Sequence, residues 1–391
     1  MHNRKSLKAG SRSSAEPEIS PDRAFLAACL DGTPECNSPF LAAGQETAQG
    51  CLWEGLICAA AAEFLLPVLH QRLGEIGVKP PAEISDFLAE VEVLNGERNA
   101  RIMEEAHAVA GLLNGIGIEP VALKGAAFLL ADVYPMPGCR YLCDLDLLVP
   151  HSQLAAAAEA LQSDGYRSDT RDAMARFRHH HPQLQRPRAA DGSGSAPLEL
   201  HHSLGPGVSR KLLSGEDLLR ESSVKEWSGV RIRVPSPEHL VTHLILHSQL
   251  RHCYSERIWP PLRALYDLAM LNRHFGSRLD WESVQRRFRA CGREPTLLLH
   301  LLQAGKTLGM PLPFAFELGG MGRVRWRRRQ VLNRWPVLRF ADPVYIVSAT
   351  LSRRMRFLES VVAAPGGWKY AARMLFRSGF YRRLLADIAL R

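Results

Sequence analysis

Nowhere do the 391 residues run apolar for long enough to cross a bilayer. The longest such stretch, Ile57 to Leu69, is interrupted by Glu63 and Pro67. Met1 to Asp22 is polar and basic with no apolar centre, so no secretory leader is read there. No two of the eight cysteines, at 29, 36, 51, 58, 139, 143, 253 and 291, form a C-x-x-C pair. That absence excludes a zinc ribbon or a thioredoxin-like centre. It fits free or buried thiols in a reducing cytoplasm, the expected location. The metalloprotease signature H-E-x-x-H is missing as well. His239, His243 and His247 stand at i, i+4 and i+8, on one helical face, but Leu240 follows His239. We read them as a helix packed beside a cleft, with His247 near substrate, rather than as a zinc centre.

Acid is scarce at one end. Residues 321–391 hold 16 Lys and Arg against Asp342, Glu359 and Asp387, a surplus of +13 in a chain whose total is +9. The first 320 residues are therefore slightly acidic. Basic helices packed inward through Trp326, Leu332 and Trp335 account for the pattern. A nucleic acid or an anionic surface is the partner it would suit. Composition is otherwise ordinary for a globular chain, 46% hydrophobic and 23% charged. This length supports a sizeable core and two or three domains.

The stretch around which the chain is organised is VALKGAAFLLADVYPMPGCRYLCDLDLLVP, residues 121–150. An apolar strand over 118–123 meets a break at Lys124-Gly125. A helix over Ala126–Val133 follows, ended by Pro135 and Pro137. Arg140 to Val149 then reads as a second strand, closed by Pro150. Alternation along a strand puts Asp144 and Asp146 on one face, with Cβ atoms roughly 6–7 Å apart. Carboxylates that close repel unless a cation lies between them. Mg²⁺, which binds through one or two carboxylates plus substrate phosphates, suits the pair. Lys124 and Gly125 lie where a strand hands over to a helix, a geometry in which backbone N–H groups, the helix end and a lysine can hold phosphate. Pro197-Leu198-Glu199-Leu200-His201 alternates again, so Glu199 can supply a third carboxylate from a neighbouring strand and His201 can orient a metal ligand.

The rest of the chain is read around this centre. Residues 1–22 form a disordered tail. Residues 23–115 form a helical region, with helical spacing at Phe87, Val91 and Leu94 and at Ile102, Ala106, Val109 and Leu113. Residues 116–235 hold the core, in which Ala189–Ala196 is a hairpin loop, Tyr166–Ser168 a short strand, and 224–227 with 230–234 a hairpin split at Ser228-Gly229. Helices continue over 236–320, where Arg263 and Asp267 stand at i, i+4 as an ion pair. Basic helices fill 321–391.

These residues resemble the nucleotidyltransferase superfamily with the DNA-polymerase-beta-like fold. Within it they resemble the bacterial nucleotidyltransferase family proteins. The superfamily pattern of a glycine turn, [DE]-x-[DE] and a later acid falls on Gly125-Ala126, on Asp144 and Asp146, and on Glu199. The narrower pattern falls on Leu123-Lys124-Gly125, Tyr134-Pro135, Arg140, Asp144–Val149 and Glu199-Leu200-His201. Ala126 departs from the frequent serine, which leaves phosphate to backbone N–H groups and Lys124. The resemblance implies a mixed-sheet α+β core flanked by N- and C-terminal helical regions. Asp144, Asp146 and Glu199 would be the catalytic and metal-binding residues, with two Mg²⁺ (or Mn²⁺). Lys124, Gly125 and Arg140 would bind the nucleotide. It also implies transfer of a nucleoside monophosphate from an NTP to a hydroxyl acceptor, a small molecule, a protein or an RNA, with release of pyrophosphate. A binding module without turnover and another metal-dependent phosphotransferase are the alternatives. Two structural conditions follow, and failure of either would overturn the catalytic reading: Glu199 must lie beside the aspartates, and no basic side chain should fill the space among the three acids.

Overall fold

The computed structural model describes residues 21–31, 51–168, 179–187, 195–251 and 261–334. The reading of a disordered N-terminal tail, most of the Ala189–Ala196 loop and the basic helices beyond 334 lie outside the described residues. Helices α1 (Pro21–Leu30), α2 (Cys51–Ala62) and α3 (Leu66–Glu75) precede the long helix α4 (Ala82–Gly115). The second half of α4 buries the expected stripe at Ile102, Ala106, Val109 and Leu113. Its first half differs. Phe87 and Leu94 are exposed, and the buried positions are Leu88, Asn95 and Asn99. The two asparagines face inward because they hold a loop. Asn95 Nδ2 donates to Gly138 O at 2.6 Å, and Asn99 Nδ2 donates to Pro137 O at 2.5 Å and to Arg140 O at 2.6 Å.

That capture shortens the strand expected over 140–149. Side chains take the carbonyls of Pro137, Gly138, Arg140 and Tyr141, and the ladder starts only at Leu145. The observed elements are β1 (Val121–Ala122), α5 (Lys124–Leu130), β2 (Leu145–Leu148), α6 (Leu154–Ser163), β3 (Arg167–Ser168), β4 (Leu184–Gln185) and β5 (Leu198–His201). Short helices α7 (Val208–Leu212) and α8 (Gly215–Arg220) lead to the hairpin β6 (Ser223–Trp227) and β7 (Val230–Val234). Ser228 and Gly229 turn it with φ of +48° and +81°, the conformation a two-residue hairpin turn requires.

The seven strands form one sheet in the order β3-β4-β5-β2-β1-β7-β6. It is mixed: β2 with β5 and β1 with β7 run parallel, and the other pairs antiparallel. After the sheet come α9 (Pro237–Ile245), continued by a π-helical turn over Leu246–Arg251, then α10 (Leu262–Phe275), α11 (Trp281–Ala290), α12 (Glu294–Leu308) and α13 (Gly320–Arg334). Ser236 caps α9 by accepting from His239 N, with Pro237 at the first helical position. One continuous apolar cluster joins the N-terminal helices, the sheet and the later helices, from Phe25 to Met310. Leu145, Leu147, Leu148, Leu198 and Leu200 are fully buried within it, each worth about 2 kcal/mol of apolar burial. Among the described residues, no helix is long and apolar enough to cross a membrane.

Candidate functional site

Against that run of leucines, Asp146 is the polar exception, only 2% exposed. In the parallel β2–β5 pair, Asp146 lies opposite Glu199 and Leu148 opposite His201. Adjacent strands stand about 4.8 Å apart, and alternate residues share a face, so Asp146, Glu199 and His201 meet on one side of the sheet. For Asp146 the first structural condition is met, with Glu199 beside it; Asp144, expected on the same strand face, precedes β2 and lines the same cavity as Glu199.

The second is not. The ammonium of Lys124 lies 2.6 Å from Asp146 Oδ1 and 3.7 Å from Glu199 Oε2, inside the acidic cluster. His201 Nε2 adds contacts of 2.8 Å to Asp146 Oδ1 and 3.4 Å to Glu199 Oε2. Lys124 opens α5 with φ +49°, in the left-handed region that residues bearing a Cβ avoid. Such strain persists only where the surroundings impose it, and it gathers at functional sites. Here it sits at the β1-to-α5 handover, where Leu123 N donates to Asp146 O at 3.0 Å. Gly125 has a packing reason to be glycine. A Cβ there would approach Leu142 Cγ to 3.1 Å.

The charges respond to this packing. Burial alone would raise the Asp146 carboxyl, but Lys124 and His201 hold it well below the usual carboxylate range. A hydrogen bond from His201 likewise lowers Glu199 against the effect of its burial. Burial would lower Lys124 and His201, yet the carboxylates carry both upward, Asp146 and Glu199 in each case. Asp144, two residues upstream of Asp146, is left on the other side of the balance. Burial and the nearby charges of Asp146 and Glu199 raise it, with Lys124 offsetting only in part.

Asp144, Glu199, His201, Lys124 and Gly125 line one cavity of about 800 Å³, a volume in the range of small-molecule sites. Arg140 lines it too, with its guanidinium already engaged. Its Nε lies 2.8 Å from Asp267 Oδ1, its Nη2 donates to Asp267 Oδ2 at 2.9 Å, and Tyr134 OH donates to the same carboxylate. Asp267 therefore pairs with Arg140, and not with Arg263 as the i, i+4 spacing had implied. Arg263 instead donates to Tyr141 O at 3.0 Å. The three helical histidines part company. His243 and His247 border the cavity, whereas buried His239 has its Nε2 3.1 Å from Glu221. Burial, with Lys124 and His201 nearby, pushes His243 down to about 3, so it stays neutral.

Ligand atoms of Asp146, Glu199 and His201 all lie within 4.8 Å of one another. Two carboxylates and an imidazole at that separation fit a divalent cation. The buried Tyr134–Asp267–Arg140 triad and the loop-holding Asn95 and Asn99 are supports that the sequence reading missed. The sequence reading had named Tyr134-Pro135, given Arg140 to the nucleotide and paired Asp267 with Arg263, and nothing in the spacing joined Tyr134, Arg140 and Asp267 to one another.

Residues 50–309 match the profile of a family described as uncharacterised nucleotidyltransferase. The chain belongs to that family. The match takes in the whole sheet, the acidic cluster and the helices through α12. Among solved structures, an antigenic nucleotidyltransferase-like protein from Paracoccidioides brasiliensis is similar over 53% of this chain and 93% of its own, at 16% identity and a TM-score of 0.36. No curated protein matches.

Proposed function

We propose that the chain moves a nucleoside monophosphate from an NTP to a hydroxyl acceptor and releases pyrophosphate, as members of the polymerase-beta-like superfamily do. The observation that carries this reading is the placement of Asp146 beside Glu199 on paired strands, with Asp144 two residues upstream at the same cavity as Lys124. Asp144, Asp146 and Glu199 would hold Mg²⁺ or Mn²⁺, with His201 steadying Asp146 at 2.8 Å. A divalent cation bound there would lower the pKa of an acceptor hydroxyl and neutralise charge on the departing pyrophosphate.

The chain's own residues do the positioning. Lys124 fills the space that catalysis needs open, so turnover would require its ammonium to leave Asp146 and Glu199 for the triphosphate when a cation is held there. Its flexible four-carbon stem and point charge suit both positions. Gly125 lets Leu142 pack against the start of α5 where both line the cavity, and its backbone would face phosphate there. Arg140 offers positive potential from the cavity wall, held in place by Asp267. His247 faces the cavity where substrate would lie. The acceptor class is a small molecule, a protein or an RNA. Basic residues after 320 would favour an anionic one.

The test is a panel of labelled nucleotides with Mg²⁺ or Mn²⁺, scored for pyrophosphate, comparing the native protein with Asp146→Asn. We expect release to fall by about a hundredfold or more in the variant. Equal release from both would remove the carboxylates from the mechanism, and release of orthophosphate would move the chain to a different phosphotransferase class. The lysine among the acids favours one second reading, a nucleotide-binding module without turnover. Saturable NTP binding with no product at any divalent cation concentration would establish that reading instead.

A further inference from the structure

Above the acidic cluster, the same cavity is walled by an aromatic and cationic stack that the metal chemistry does not use. Phe64 sits between α2 and α3, with its N donating to Ala61 O at 3.1 Å and Leu65 N donating to Ala60 O at 2.8 Å. It therefore ends α2 as the left-handed residue, with φ +57°, at a position glycine usually fills. A bulky side chain there is strained, and burial does not repay it, because Phe64 is 51% exposed. Its ring stacks on Tyr141 with centroids 5.1 Å apart and planes at 28°. The Arg263 guanidinium lies 5.5 Å from the Phe64 centroid and 5.9 Å from that of Tyr141.

The support beneath the stack is built. Glu63 accepts from Leu262 N at 3.0 Å, tying the loop to the start of α10, and pairs with Arg23 at 2.6 Å. Tyr141 O accepts from Arg140 at 2.6 Å and from Arg263 at 3.0 Å. Phe64, Tyr141 and Arg263 line the cavity together with Asp144, Glu199 and Lys124.

We propose that Phe64, backed by Tyr141 and flanked by Arg263, is the platform on which the planar base of the nucleoside triphosphate stacks. This rests on the reading of the site as one for NTPs and adds its base-binding wall, whose exposed ring, Phe64, comes from the N-terminal helices rather than from the sheet. A strained, solvent-open ring in parallel contact with a second ring and beside a guanidinium is suited to a flat, polarisable ligand. Every base has such a face, so the platform contributes affinity with little choice among the four.

The experiment is calorimetric titration of the full-length protein with ATP, GTP, CTP, UTP and inorganic tripolyphosphate in Mg²⁺. It compares the native chain with Phe64→Ala, Phe64→Gly and Phe64→Trp. We expect Ala and Gly to weaken all four nucleotides by about tenfold or more. Tripolyphosphate should be unaffected, and Trp should restore nucleotide binding. Glycine relieves the positive φ as it removes the ring contact, so its thermal midpoint should stay within a few degrees of native. Nucleotide affinities unchanged in Phe64→Ala would overturn the platform while leaving the NTP reading intact. So would native binding of ATP no tighter than tripolyphosphate. Loss of tripolyphosphate binding together with a collapsed midpoint would make the ring a structural part and overturn it too. No NTP binding by the native protein would remove both readings at once.

Discussion

Lys124 decides how the acidic cluster behaves without a cation. Its ammonium neutralises a carboxylate that is 2% exposed, and removing it leaves that charge to repel Glu199 and Asp144. Lys124→Ala should therefore lower the thermal midpoint of the cation-free protein. Mn²⁺ should raise the midpoint further in the variant than in the native chain, because the metal then fills a position nothing contests. Differential scanning fluorimetry against Mn²⁺ concentration reads this directly. A smaller Mn²⁺ response in the variant would mean that the lysine does not compete for the carboxylates. The acids themselves were legible in the sequence, because D-L-D and E-L-H set polar residues at alternating positions among leucines. The lysine contact was not legible, since it depends on a left-handed φ that no neighbouring residue type signals. Arg140 was assigned to the nucleotide by the family resemblance, yet its partner Asp267 lies 127 residues on. A local pattern carries no information about such a pair.

Among the elements, α4 does more than pack. It holds the loop over residues 137–140 through Asn95 and Asn99, and further along Asn114 Nδ2 donates to Arg231 O at 3.0 Å. Asn99→Ala would leave Pro137 O without its amide donor and Arg140 O with only the 3.2 Å bond from Asn95, at a cost of about 1–2 kcal/mol. We expect that loss in urea unfolding, together with a raised KM for the nucleotide as Arg140 shifts. A variant as stable as the native chain would show that water replaces the amide. The bounds of α4 were readable to the residue, since Pro81 and Gly115 frame a long run of helix formers. Which face it buries was readable only in its second half. The apolar period at Phe87, Val91 and Leu94 pointed to a core that the structure gives instead to asparagines, because the 137–140 loop presents carbonyls there rather than apolar side chains. The β6–β7 hairpin was plain from Ser228-Gly229, and the β4–β5 arm from its alternation.

For the molecule as a whole, pH acts through histidines far apart in the fold. Burial, with Arg329 nearby, pushes His300 down to about 3, and His243 lies at about 3 as well. The unfolded chain takes up protons below about 6.5, which these folded sites refuse. Their contribution is thus complete above that pH and is lost as the pH falls toward 3. His201 has the opposite sign: raised in the fold, it adds stability in acid and loses it as the pH rises through its folded value. His300→Leu, remote from the acidic cluster, should flatten the fall in unfolding free energy between pH 6.5 and 5. The change expected is about 1.4 kcal/mol per pH unit, measured by urea melts across that interval. An unchanged slope would mean that His300 takes up its proton in the folded state over the same pH range as in the unfolded chain.

The pairing of β2 with β5 has a last consequence. The gap between the Asp146 and Glu199 backbones is fixed by peptide geometry and not by any side chain. Substitution can therefore change the reach of either acid only in steps of one methylene. Deleting Leu198 would turn Glu199 and His201 together toward the face that Leu198 and Leu200 now bury, disarming the centre and setting a carboxylate in the apolar core.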